Sequence, residues 1–132
     1  ANKILAVLEQ REGLIKRSSF EAVNAAANLA KDLNTSAEAV VVGDTISNIN
    51  EVSKYGIQKI THLKNTELSY YSSSGYSEII SNFAKELDAN ILILSNTAFG
   101  KDLAPRLSVR LDSGCVVDCI KLNVSENEII CS

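Results

Sequence analysis

Four short apolar runs constrain this chain more than any other feature: KILAVLE (Lys3 to Glu9), EAVVVG (Glu38 to Gly43), IQKITHL (Ile57 to Leu63) and NILILS (Asn90 to Ser95). Each is rich in Val, Ile and Leu. A strand with one face in water alternates apolar and polar residues, whereas an uninterrupted run suits a strand buried on both faces, as in a parallel sheet.

Helical patterns separate these runs. Ser18 and Glu21 have the S-x-x-E spacing of a capping box, and Phe20, Val23, Ala27, Ala30 and Leu33 then recur at helical period. A short second helix is expected from about Ser47 to Lys54. Tyr55-Gly56 closes it, because glycine accepts the left-handed conformation common at helix exits. A longer helix carries Tyr76, Ile79, Ile80, Phe83, Ala84 and Leu87 on one stripe, with YYSSSGYS (Tyr70 to Ser77) as the loop leading into it. A last helix follows Gly100, where Leu103, Leu107 and Leu111 stack one turn apart. Strands alternating with helices imply right-handed crossovers and an α/β fold of Rossmann-like type: a mostly parallel sheet with helices on both faces.

The C-terminal segment breaks this rhythm. CVVDCIKLNV and EIICS, separated by Ser125-Glu126-Asn127, read as two antiparallel strands joined by a tight turn, and the chain stops within the second. No internal repeat or linker divides the 132 residues, so one domain over 1–132 is expected.

Composition excludes several functions. A net charge of −3 and a pI near 5.1, with scattered basic residues, argue against a nucleic-acid or anionic-membrane surface. No apolar run approaches the roughly 20 residues needed to cross a bilayer, and no basic region followed by an apolar block opens the chain. Three cysteines, Cys115, Cys119 and Cys131, are odd in number and confined to the C-terminal segment. That is not a disulfide framework, and a reducing compartment such as the bacterial cytoplasm is expected.

The turn NTAFGKDLAPRLSVRLDSG (Asn96 to Gly114) invites a phosphate-loop reading, because Gly100-Lys101 fits the middle of G-x-x-x-x-G-K-[ST]. The pattern fails at both ends. Ser95 stands at the first glycine and Asp102 at the hydroxyl that would hold magnesium, and a carboxylate there repels phosphate. A structural helix start uses the same residues: Asp102 as N-cap after Gly100, with Pro105 at the third helical position, where no intrahelical donor is required.

Other constellations are weaker. Cys115 and Cys119, if in one strand, lie about 13 Å apart on one face, too far to share a zinc ion, so core thiols are the expected reading. His62 has no G-x-S-x-G serine to serve, and reads as a surface or capping group. Arg106 and Arg110, one turn apart, form either an anion clamp or a solvated face pairing with Asp102 and Asp112. Tyr70, Tyr71 and Tyr76 either face a partner or cover the sheet.

The segment AFGKDLAPRLSVRLDSG (Ala98 to Gly114) resembles the end of the N-terminal domain of the electron transfer flavoprotein alpha subunit, where G-[RK]-D-L-A-P-R opens a helix. Val117-Asp118 matches the strand that follows. KILAVLEQREGLIKRSSFEAVNAA (Lys3 to Ala26), VVVGD and KYGIQKI resemble other parts of that family, so the resemblance spans nearly the whole chain. It implies a fold related to the adenine-nucleotide α-hydrolases and universal stress proteins. It also implies a non-catalytic domain that assembles with a beta subunit and, in the full complex, supports electron transfer from acyl-CoA or other flavin dehydrogenases. In that family FAD is held mainly by the C-terminal domain of the alpha subunit, and AMP, where present, by the beta subunit, so neither is expected here. The end at Ser132 then reads as the edge of an excised N-terminal domain. The partner surface is expected at Tyr70, Tyr71, Tyr76, Arg106 and Arg110. A free-standing universal-stress-type nucleotide module is the alternative. It would show G-x-x-G-x(9)-G-[ST] after the fourth run, where this chain has SNTAFGKDLAP.

Overall fold

The computed structural model describes residues 3–111, 115–118, 122–125 and 128–131. Its strands are β1 (Lys3–Leu8), β2 (Gln10–Arg11), β3 (Leu14–Ile15), β4 (Ser36–Gly43), β5 (Ile60–Lys64), β6 (Ile91–Leu94), β7 (Cys115–Asp118), β8 (Leu122–Ser125) and β9 (Glu128–Cys131). Its α-helices are α1 (Arg17–Asp32), α2 (Ser73–Leu87) and α3 (Ala98–Arg110). Five strands form one parallel sheet in the order β5-β4-β1-β6-β7. The chain builds outward from β1 through β4 to β5, then crosses back to add β6 and β7 on the other side. Order therefore reverses between β1 and β6.

The continuous apolar runs are divided residue by residue between two cores. Ile4, Ala6, Leu8, Ala39, Val41, Ile91 and Ile93 pack under α1, while Leu5, Val7, Val40, Val42, Leu92 and Leu94 pack under α2 and α3. Helices thus cover both faces, as the α/β expectation requires.

Local details differ from the sequence reading. The Ser18–Glu21 capping box does not form: α1 begins at Arg17, and its N-cap, Lys16, makes no side-chain cap bond. The hydroxyl beside it, Ser19 Oγ, instead accepts the Glu9 N–H at 2.7 Å. The short second helix is a 3-10 helix, Ile49–Tyr55, closed as expected by Gly56 at φ 111°. A Cβ on Gly56 would also lie 2.8 Å from the Ala27 Cβ, so glycine is required twice over. Helix α2 starts inside the expected loop, at Ser73, because Ser72 Oγ accepts the Gly75 N–H at 3.3 Å.

The small β2–β3 hairpin was not expected. Glu12 (φ 53°) and Gly13 (φ 85°) turn it, both in the left-handed region that two-residue hairpins favour. The first of the two C-terminal strands also divides: Cys115–Asp118 joins the parallel sheet beside β6, and Leu122–Ser125 pairs antiparallel with Glu128–Cys131. Strand propensity alone carries no mark of where the pairing partner changes along CVVDCIKLNV. Cys119 and Asp112 lie outside the described residues, as do the cysteine side chains on which the core-thiol expectation rests.

Candidate functional site

In open α/β sheets ligands collect outside the carboxyl ends of the strands, at the point where strand order reverses. Here that point lies beyond Leu8 of β1 and Leu94 of β6, and it holds a cleft of about 420 Å³. The chain leaving β1 supplies Glu9 and Gln10, the segment before α2 supplies Ser69, Tyr70 and Tyr71, and the start of α3 supplies Ala98 and Phe99. A second recess of about 300 Å³, lined by Glu12, Asp44 and Thr45, adjoins it across Tyr70.

Gln10 builds the floor. Its Nε2 donates to the Ser69 carbonyl at 2.9 Å and to Tyr76 Oη at 3.2 Å, and its Oε1 accepts the Gly13 N–H at 3.0 Å. One amide thus ties the hairpin, the pre-α2 segment and the core together. Gly43 makes room for it, since a Cβ there would lie 2.9 Å from Gln10 Nε2.

The start of α3 decides whether the cleft can take a phosphate, and here the sequence reading is corrected. Thr97, not Asp102, is the N-cap, with its Oγ1 accepting the Gly100 N–H at 3.3 Å. Thr97 Oγ1 in turn donates to Glu9 Oε1 at 3.0 Å. A carboxylate therefore already stands at the helix start, where the macrodipole favours negative charge, but it comes from Glu9, 88 residues upstream. Threonine is a good cap residue, and Gly100 fits the buried third helical position, so the helix opens a full turn before Asp102. Pro105 consequently sits in the helix interior, not in its third position. Having no N–H, it leaves the Lys101 carbonyl without its usual partner.

Asp102 has a different task. Its Oδ2 accepts hydrogen bonds from Tyr71 Oη at 2.6 Å and Ser73 Oγ at 2.7 Å, and Arg106 Nε approaches at 3.5 Å. This cluster staples the segment before α2 to α3. The Tyr71 hydrogen bond, then that from Ser73, holds the Asp102 carboxyl below the usual aspartate range. Partial burial, then the bond to Asp102, pushes Tyr71 up to about 12. The Tyr71 ring meets Tyr76 and Phe99 edge-on, each with centroids 5.0 Å apart.

The expected partner residues separate accordingly. Tyr70 is 74% exposed and Tyr71 38% exposed, on the cleft wall. Tyr76 cannot face a partner: it is 2% exposed, with its hydroxyl donating to the Leu68 carbonyl at 2.7 Å. Its place on the apolar stripe of α2 already pointed inward. Arg106 is engaged by Asp102, and Arg110 is exposed in the last turn of α3, where a cation suits the helix dipole. His62 acts as a capping group, with Nε2 3.0 Å from the Gly43 carbonyl oxygen. Sequence reasoning missed Glu9, Gln10 and Thr97. Only the threonine two residues before Phe99 offered a local signal.

The family model described as "Electron transfer flavoprotein domain" matches residues 4–131. The chain is 32% identical over 123 residues to the electron transfer flavoprotein subunit alpha of Thermoanaerobacterium thermosaccharolyticum, covering 92% of this chain and 37% of that protein. It is 29% identical to the protein FixB of Clostridium saccharobutylicum, covering 88% and 35% respectively. The chain therefore spans little more than a third of the length of these relatives. Among solved structures, the universal stress protein from Archaeoglobus fulgidus in complex with dAMP aligns with a TM-score of 0.58 at 16% identity, covering 92% of this chain and 98% of that one. At that identity the likeness is one of fold.

Proposed function

This chain belongs to the electron transfer flavoprotein domain family, and from that premise we propose that it is the N-terminal domain of an alpha-type subunit. In this reading it is a non-catalytic scaffold that assembles with a beta subunit, and the complete complex carries electrons from acyl-CoA or other flavin dehydrogenases. The observation that carries the reading is the Glu9–Thr97 contact at the start of α3. It sets a protein carboxylate beside the helix start, where this fold class offers N–H groups to a nucleotide phosphate. The residues of the cleft do not suit the pyrophosphate of FAD, since Glu9, Glu12 and Asp44 would all repel it. The flavin then belongs to parts of the full-length protein beyond this domain. A cytoplasmic setting fits the bacterial relatives. Among the described residues no helix is long and apolar enough to cross a membrane.

Size-exclusion chromatography with light scattering tests the assembly role. Mixed with its cognate beta subunit, the chain should elute as a one-to-one complex, and two separate peaks would overturn the scaffold reading. A second reading, a universal-stress-type adenine nucleotide module, draws on the position of the cleft and on the likeness to a dAMP-bound fold. Thermal unfolding with AMP or ATP separates the two. A ligand at 100 times its Kd stabilises by about 2.7 kcal/mol, so a clear upward shift favours the nucleotide module and none is expected.

A further inference from the structure

The cleft is of ligand size, at about 420 Å³ with a further 300 Å³ across Tyr70. It lies where the fold class binds ligands, yet its chemistry is inverted relative to an anion site. Three carboxylates, Glu9, Glu12 and Asp44, line the two recesses against a single guanidinium, Arg11. Neither Glu12 nor Asp44 makes an ion pair among the described residues. Tyr70, Tyr71 and Phe99 give the main cleft an aromatic wall, beside Gln10, Ser69 and Ala98. Aromatic faces attract cations through their negative π-face, and carboxylates at the rim add Coulomb attraction and hydrogen-bond acceptors.

We propose that this cleft is a binding site for an organic cation, a guanidinium or ammonium group on a short apolar stem. The stem lies along Tyr70, Tyr71 and Phe99, and the charged head meets Glu12 and Asp44. Gln10 is spent on the floor and Tyr71 Oη on Asp102. The polar specificity of the cleft therefore rests on the carboxylates. Such a cation reaches the cleft either as a free small molecule or as an arginine or lysine side chain presented by a polypeptide. The inference goes beyond the assembly role, and is tested on the isolated 132-residue chain, so failure here and failure of beta-subunit pairing are separate results.

The test is an NMR titration of that chain at low ionic strength with agmatine, with the capped peptide acetyl-Gly-Arg-Gly-amide, and with AMP as the anionic control. Saturable shifts confined to Glu9–Gly13, Asp44–Thr45 and the rings of Tyr70, Tyr71 and Phe99 are expected with the cations, at Kd on the order of millimolar. Tighter binding of agmatine identifies a free amine as the source, and tighter binding of the peptide a presented side chain. Tyr70→Ala and Glu12→Gln alter exposed residues and should each weaken binding about fivefold. Absence of saturation by about 50 mM with both cations, unchanged affinity in either variant, or AMP binding as tightly at the same residues would overturn the proposal.

Discussion

On one face of the sheet, α1 presents alanine: Ala22, Ala26, Ala27 and Ala30 lie against the aliphatic strand residues, with Phe20 stacked on Tyr55 at the edge. On the other, α2 and α3 bring large side chains, Tyr76, Phe99, Leu103 and Leu107, to the same strands. The small residues let α1 approach closely, and near its start Ser19 Oγ accepts the Glu9 N–H from the chain leaving β1. The second face is also bound by polar contacts between distant segments: Tyr71 to Asp102, Gln10 to Tyr76, and Thr97 to Glu9. The cleft opens where those contacts gather. Close apolar packing gives a layer that only needs to be stable, whereas long-range polar fastening gives one that can position residues around a site.

Core substitutions test this contrast most severely. Leu103 is fully buried between α3 and the sheet, and Leu103→Ala should cost about 2–5 kcal/mol by chemical denaturation. On the α1 face the damaging change runs the other way: Ala26→Leu should cost about 1–3 kcal/mol by overpacking. If Ala26→Leu were neutral, the α1 layer would not be closely packed and the contrast would fail.

Gln10 comes next. Replacement by Ala removes three hydrogen bonds and leaves the Gly13 N–H and Ser69 carbonyl without their partner, at a cost of about 1–3 kcal/mol. Hydrogen exchange should quicken at Gly13 and in the segment before α2 while amides of α1 keep their protection. Faster exchange spread equally over both faces would mean that the polar fastening is not confined to one of them.

The start of α3 offers a finer test. Thr97→Ala should cost about 0.5–2 kcal/mol as loss of an N-cap. Asp102→Ala, at a half-exposed staple, should cost less, about 0.5–1 kcal/mol. The reverse order would restore Asp102 as the residue that begins the helix.

The same contrast explains what could be read in advance. The four strands under the two cores, the α2 stripe and the Gly56 exit follow from patterns within a few residues, since periodicity and backbone freedom are local properties. The capping box failed because Ser18 and Glu21 compete with what the preceding hairpin imposes: once β3 ends at Ile15, the helix starts at Arg17 and Ser19 is drawn to Glu9. Asp102 reads locally as the N-cap, but Thr97 holds that place, and the acid beside the helix start is Glu9, from the chain leaving β1, 88 residues away. The cleft was not legible, because Glu9, Tyr70 and Phe99 are brought together only by the strand order.

The smallest effect concerns the Tyr71–Asp102 staple, which should make the second face sensitive to pH at both extremes. Tyr71 titrates at about 12 in the folded chain against about 10 when unfolded. A raised value means that the neutral phenol is favoured by folding. Its contribution is therefore complete below pH 10 and disappears as pH rises toward 12. For Asp102 the sign is opposite. Its folded value is lowered, so its contribution is present above about pH 4, the unfolded range, and disappears as pH falls through the folded value. Both effects are modest, because solvent reaches the pair. Carbon-13 NMR of the tyrosine Cζ atoms resolves the Tyr71 midpoint directly. Asp102→Asn should bring it down without returning it to 10, since burial, the larger cause, remains. A midpoint unmoved by Asp102→Asn would mean that burial alone sets it. The polar fastening of the second face would then rest on the Gln10–Tyr76 and Thr97–Glu9 contacts without this staple.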